Sequence, residues 1–366
     1  MDFFERYVSN TVAGSGSQTF FRMEAGEVRT GRVFYKIRAT GRYRYALLFS
    51  NILDSTFADG SVSHAGMVCD AWHIHGARVG VCRSMPRMTL DGEVGGDIPV
   101  SDWQTLAFNG AREKEVMPAE IFPSDGVMLS LSEGDRLCLE VTFSGGMIPY
   151  HEESLLPVFV RTAEGWRYDK RMPFASMVGC ERRVTERIAY IGDSITQGIG
   201  TPPDSYTHWN AVLSDKLGDG YAFWNLGLGY ARASDAALDG SWLYKAKKND
   251  TVFVCFGVND ILRGHTADRI CADLARIVAL LKAAGKRVIL QTVPPFDYTG
   301  NAIEVWQTVN AFIKRELVTR VDALFDNGTV LSRADAPHST RFGGHPNEEG
   351  CRLWAEALWG AVSHLF

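Results

Sequence analysis

The chain has 366 residues, of which 46% are hydrophobic and 22% charged, with a formal net charge of -5. That balance is ordinary for a globular protein of about two domains, and the mild acidity leaves no basic footprint for nucleic acid and no polybasic segment for a membrane surface. The opening run Met1-Asp-Phe-Phe-Glu-Arg-Tyr7 lacks a basic region followed by an apolar stretch, and no apolar run is long enough to span a bilayer, so the expectation is a cytoplasmic protein without a transmembrane helix.

In chain order, residues 1–184 read as β-rich. Short aromatic and branched runs recur at Arg32 to Ile37, Tyr43 to Ser50, Val127 to Leu131, Leu137 to Phe143 and Leu156 to Val160. Turn clusters such as Asp59-Gly60-Ser61 and Ser132-Glu-Gly-Asp135 separate them. Short strands with this punctuation predict an all-β sandwich of jelly-roll type. The charged stretch Cys180 to Arg187 marks the junction, and residues 185–366 change character. Strand candidates Ile188 to Ile191, Tyr221 to Asn225, Val252 to Phe256, Arg287 to Val293 and Val321 to Phe325 alternate with helical patterns. In Ala267 to Ala284, apolar residues fall at 270, 274, 277 and 281, with Gly285 as a stop; further amphipathic segments run from about Glu304 to Leu317 and from Glu348 to Leu365. A repeat of this kind predicts an α/β domain with a parallel sheet and right-handed crossovers. Sites in such sheets lie at the carboxyl ends of the strands.

The first of these strands stops abruptly at Gly192-Asp-Ser-Ile-Thr-Gln-Gly198. Gly192 allows a tight turn, and the amides beyond it lose their ladder partners and can face an anion. Ser194 is thereby delivered to the sheet edge. Taken alone, Gly-Asp-Ser also fits a strand-to-helix turn with a capping serine. Three further blocks follow in order: Asn225-Leu-Gly-Leu-Gly229, Gly257-Val-Asn-Asp260 and His345-Pro-Asn-Glu-Glu-Gly350. Asn225 closes the second strand and Asn259 lies just past the third, so both converge with Ser194 on one edge.

These four ordered blocks resemble the signature of the SGNH (GDSL) hydrolase family, across roughly the C-terminal half of the chain. The resemblance implies a flavodoxin-like three-layer α/β/α domain with a five-stranded parallel sheet. It also implies a serine esterase with Ser194 as nucleophile, His345 as base, and the Ser194 amide, a Gly229 amide and the Asn259 carboxamide as oxyanion donors, supported by Asp193 and Asn225. Two departures stand out. The glycine usual five residues after the second-block asparagine is Tyr230 here, which leaves Gly229 or Tyr230 as the amide donor. The aspartate usual three residues before the histidine is Phe342. Either Asp335, from Asp335-Ala-Pro-His338, folds back to orient His345, or a backbone carbonyl does so and the enzyme works as a dyad; His338 as base ranks last.

A β-sandwich preceding such a domain is similar to carbohydrate esterases that deacetylate sugars, which implies a small acyl ester, an acetylated sugar or oligosaccharide, as substrate. Acyl transfer or thioester cleavage at the same residues, or a lapsed carbohydrate-binding protein, are the alternatives. Trp72, Trp103, Trp166 and Tyr150 could supply stacking faces, although core packing is the favoured reading for most of them, and the sandwich surface leaves room for a homo-oligomer. Nothing calls for a cofactor or metal: the seven cysteines are scattered, His73-Ile-His75 has no further ligand cluster, and His151-Glu-Glu153 lacks the second histidine of a zincin motif.

Overall fold

A computed structural model describes residues 2–55, 63–88 and 97–366 of the protein. The expected turn at Asp59-Gly60-Ser61 lies outside them.

The N-terminal half is antiparallel. Strand Arg136–Gly145 pairs along one edge with Arg29–Lys36 and along the other with Trp72–Cys82. Val158–Thr162, Gly165–Tyr168, Ser101–Leu106 and Lys114–Val116 complete a seven-stranded sheet. A five-stranded sheet is built around Gly41–Ser50, which pairs with Met177–Cys180, Ile121–Pro123 and Val127–Leu131. Because strand side chains alternate, Leu137, Leu139, Val141 and Phe143 all leave one face of their sheet, where they meet Tyr45, Leu47 and Phe49 of the other in one buried core. This is the β-sandwich expected from the strand pattern. Two of the four aromatic residues proposed as stacking faces belong to this core: Trp72 donates its indole N–H to Asn51 Oδ1 (3.0 Å), and Tyr150 meets Phe21 edge to face. Trp103 and Trp166 are instead covered by the Arg78 and Arg32 guanidinium groups, each 4.1 Å from the ring centre.

The C-terminal half holds five parallel strands in the order Tyr221–Asn225, Glu186–Gly192, Thr251–Cys255, Arg287–Gln291, Ala323–Phe325. The chain thus starts one strand in from the edge, adds one neighbour on that side, and then winds the other way. Ile188, Ala189, Tyr190 and Ile191 are fully buried, as their unbroken apolar run requires of a strand covered on both faces. Helices Trp209–Leu217 and Glu348–Val362 pack together through stacked Trp209 and Trp354, 4.9 Å apart. Ala233–Ala237, Ala267–Ala283 and Asn301–Phe312 form a second packed group. The predicted stripe of Ile270, Leu274, Ile277 and Leu281 is buried, and Gly285 ends that helix with φ +71°.

The two halves are knitted together. Phe4, Tyr7 and Val12 pack into the core of the parallel sheet, and Asn10 bridges to Phe223 beside its edge strand. Deeper still, Lys245 Nζ sits 2.5 Å from Asp54 Oδ2, with both side chains sealed from solvent. Asp54 also accepts from Ser241 Oγ (2.7 Å) and the Ser17 amide (3.3 Å). A buried ion pair with its lone pairs satisfied adds little over an apolar substitute, but breaking it strands a charge. Lys245→Met is therefore expected to lower the unfolding free energy by about 3–5 kcal/mol in denaturant titrations. Asp54→Leu combined with Lys245→Met should recover most of that loss; a single variant as stable as the wild type would refute the stranded charge.

Candidate active site

The site begins where strand Glu186–Gly192 leaves the sheet. A Cβ at residue 192 would lie 2.4 Å from the Cys255 carbonyl oxygen of the neighbouring strand, so close backbone approach, rather than a special φ, makes this position glycine. Asp193 follows as N-cap of the short helix Ser194–Gln197, its Oδ1 accepting the Ile195 amide at 3.0 Å. Burial pushes the Asp193 carboxyl up to about 7, against the Ile195 hydrogen bond and with help from nearby Asp260. Ser194 is the first helical residue, so its amide has no intrahelical acceptor.

Ser194 Oγ lies 2.8 Å from His345 Nε2. The histidine is placed by backbone geometry on both sides. Gly343 takes φ +93°, and Gly200, at φ +103°, lets the His345 carbonyl approach to 2.7 Å from where a Cβ would stand. Two residues on, Asn347 caps the last helix by accepting the Gly350 amide. The Phe296 ring meets the imidazole edge to face, 5.4 Å between centres. Burial lowers the His345 pKa below the ordinary imidazole value, which keeps the ring neutral and able to accept a proton.

The second block is tied to the same turn. Asn225 Oδ1 accepts the Gly227 amide (2.9 Å), Asn225 Nδ2 donates to the Gln197 carbonyl (3.3 Å), and the Leu228 amide donates to the Gly192 carbonyl (3.0 Å). Asn225 is thus a buried brace between loop and helix. The Gly229 amide makes no hydrogen bond to a protein acceptor among the described residues. Tyr230, at the position where the resemblance implies glycine, adopts φ +59°, the left-handed conformation that glycine takes without strain. Asn259 stands in helix Val258–Leu262, just past strand Thr251–Cys255, and its Nδ2 donates to the Ala231 carbonyl at 3.0 Å. That bond uses one of two amide hydrogens and leaves the other to donate elsewhere.

Asp335 is not brought to His345. It is exposed and engages Arg333 through two contacts of 2.9 and 3.2 Å. The cause is local: Arg333 N–H bonds to the Ser339 carbonyl, Ser332 pairs with Thr340, and Ser332 Oγ donates to the Pro337 carbonyl. These contacts close the loop on itself and turn Asp335 outward. His338 is held there too, its carbonyl accepting the Phe296 amide, and it makes no bond to Ser194. Among the described residues, His345 Nδ1 has no acceptor within hydrogen-bond distance, so neither Asp335 nor a backbone carbonyl orients it.

Sequence reasoning passed over what the sandwich contributes. Glu153 lies against Gly229, Gln18 bonds to both, and Gln197 of the nucleophile helix donates to the Glu153 carbonyl. His151-Glu-Glu153 had only the look of an incomplete metal motif. The one available signal was three polar residues in succession on a strand end, and that does not report a tertiary contact.

Residues 190–353 match the family model described as GDSL-like Lipase/Acylhydrolase. No curated protein matches the chain. Among solved structures, the chain is similar to a lipolytic protein of the G-D-S-L family from Desulfitobacterium hafniense DCB-2, at 22% identity over 48% of this chain and 98% of that one, with a TM-score of 0.41. It is similar to a carbohydrate acetylesterase family member from Sinorhizobium meliloti at 20% identity, over 50% and 99% of the two chains, with a TM-score of 0.41. An acetyl xylan esterase matches at 21% identity over 48% and 99%, with a TM-score of 0.38. The four ordered motifs, the parallel sheet that gathers them at one edge, and the matched family model agree: residues 190–353 match a GDSL-like lipase/acylhydrolase domain.

Proposed function

We propose that the protein is a serine esterase that removes acetyl or other short acyl groups from carbohydrate esters. The observation that carries this reading is the 2.8 Å contact between Ser194 Oγ and His345 Nε2 at the carboxyl edge of the sheet. Ser194 Oγ attacks the acyl carbonyl while its proton passes to His345 Nε2. The tetrahedral oxyanion is held by the Ser194 amide, the Gly229 amide and the second hydrogen of the Asn259 carboxamide. On collapse, His345 returns the proton to the departing sugar hydroxyl, leaving an acyl-serine. Water, deprotonated by His345, then releases the acid and restores Ser194. In this scheme Asp193 fixes the start of the nucleophile helix, Asn225 braces the second block, and His345 works without a carboxylate partner. Residues 1–184 and 185–366 act as one unit, the sandwich supplying a polar wall beside Gly229 that suits a hydroxylated substrate better than a long acyl chain.

The test is hydrolysis of chromogenic esters from acetate to octanoate. Ser194→Ala and His345→Ala should each lower kcat/KM by roughly 10³-fold or more, with acetate the preferred chain. Asp335→Ala should stay within about two-fold of wild type, as an exposed residue away from the site; a loss of roughly 10⁴-fold, the scale for removing a carboxylate that orients the base, would reinstate it.

The pH dependence follows from the sign of the His345 shift. The base must be neutral in the free enzyme, and its pKa is lowered, so neutrality persists below the ordinary imidazole value of about 6.5. The acid limb of kcat/KM should therefore fall at a pH below that value. An acid limb centred above it would contradict the buried, unpaired imidazole.

A further inference from the structure

Glu153 belongs to the sandwich half of the chain yet is fastened to both catalytic blocks. Its carbonyl accepts from Gln197 Nε2, three residues after Ser194, at 2.5 Å. Its amide donates to Gln18 Oε1 (3.1 Å), and its Oε2 accepts from Gln18 Nε2 (3.2 Å), which also reaches the Gly229 carbonyl (3.3 Å). The carboxylate lies directly over Gly229: a Cβ on that residue would fall 1.3 Å from Glu153 Oε2. With the carboxylate in this position, any side chain at 229 would have to push Glu153 and Gln18 aside.

The second carboxylate oxygen, Oε1, has no protein partner among the described residues and is not sealed from solvent. An acceptor held in place, half-desolvated and one hydrogen bond short, gains most from a donor supplied by a ligand. It also disfavours a long apolar acyl chain and an anionic one.

We propose that Glu153 is a specificity-determining residue, whose free carboxylate oxygen accepts a hydrogen bond from a sugar hydroxyl vicinal to the acylated position. The inference rests on the esterase reading above and names the feature of the substrate that the enzyme recognises. Three observations place it: the bond from the nucleophile helix, the contact over Gly229, and the uncommitted Oε1. Burial raises the Glu153 carboxyl above the usual carboxylate range, against the Gln18 hydrogen bond and with nearby Glu152 adding to the rise and Lys170 opposing it. The shift agrees with a partly desolvated group whose second oxygen awaits a donor.

The experiment compares a sugar monoacetate carrying a free vicinal hydroxyl, its deoxy analogue lacking that hydroxyl, and 4-nitrophenyl acetate, with wild type, Glu153→Gln and Gln18→Ala. Glu153→Gln keeps the volume and the main-chain contacts, while Gln18→Ala releases the carboxylate and leaves it in place. The expected result is a fall of roughly ten-fold or more in the ratio of kcat/KM for the hydroxylated acetate over 4-nitrophenyl acetate in Glu153→Gln, carried by KM. The ratio for the deoxy analogue should not change between wild type and variant, and Gln18→Ala should shift the hydroxylated ratio in the same direction. If Glu153→Gln lowers all three substrates equally, Glu153 only positions Gly229 and the proposal falls, while the esterase reading stands. A wild type that cleaves 4-nitrophenyl acetate but no sugar acetate overturns the carbohydrate reading and this inference together.

Discussion

A strand buried on both faces and paired on both edges has to give up its hydrogen-bond ladder where it ends, and this site is made at such an end. Glu186–Gly192 is paired with Tyr221–Asn225 on one side and Thr251–Cys255 on the other. Past Gly192 the amides have no neighbouring strand, so they must be capped, bonded to a loop, or left for a ligand. The two loops that meet at this edge use all three solutions between them. Asp193 caps Ile195, the Leu228 amide takes the Gly192 carbonyl, and the Gly229 amide has no protein acceptor among the described residues. Close approach is possible because the crowded positions are glycine: a Cβ at 192 would meet the Cys255 carbonyl, and one at 227 would lie 2.2 Å from the Gln197 amide nitrogen. The chemistry at the edge thus depends on packing that admits almost no side chain at two positions.

That packing is completed by the other half of the molecule. The Asp54–Lys245 pair, Phe4 and Tyr7 in the parallel-sheet core, and the Gln18–Glu153–Gln197 contacts all cross between the antiparallel and parallel parts. Their energetics differ. The aromatic contacts are non-directional and tolerate small shifts, whereas the buried pair fixes a register, since misplacing either charge leaves the other desolvated. Glu153 lies over Gly229 at the same seam, bonded to Gln18 on the sandwich side and to Gln197 of the nucleophile helix.

Much of this was legible in the sequence where the signal was local. Tyr221–Asn225 appears with its expected bounds, and the helix from Ala267 ends one residue before its expected limit, because unbroken apolar runs and a spacing of three to four residues report burial directly. Strand Trp72–Cys82, the longest in the sandwich, was not among the expected runs. It carries His73, His75, Arg78, Gly76 and Gly80, and its core residues Trp72, Ile74, Ala77, Val79 and Val81 break step between Ile74 and Ala77, where the register shifts. The Asp335 reading failed for a different reason. Asp-x-x-His is a spacing, and whether such a loop folds toward the site or onto itself is decided by its internal bonds, here Arg333 to Ser339 and to Asp335. Glu153 was invisible because its significance lies in a residue 76 positions away that has no side chain to betray the contact.

The histidine poses the remaining physical question. An imidazole that takes a proton from serine becomes a cation, and a carboxylate on Nδ1 ordinarily selects the tautomer and stabilises that charge. His345 has no such partner among the described residues. Its ring is set instead by the glycines at 200 and 343, by the capped helix that starts two residues later, and by the edge of Phe296. These restrain position and tilt without favouring either tautomer. In the proposed reaction the transient imidazolium then draws its stabilisation chiefly from the oxyanion formed beside it. In that scheme the balance of catalysis shifts toward the proposed oxyanion donors, because no carboxylate is there to share the charge on the imidazolium.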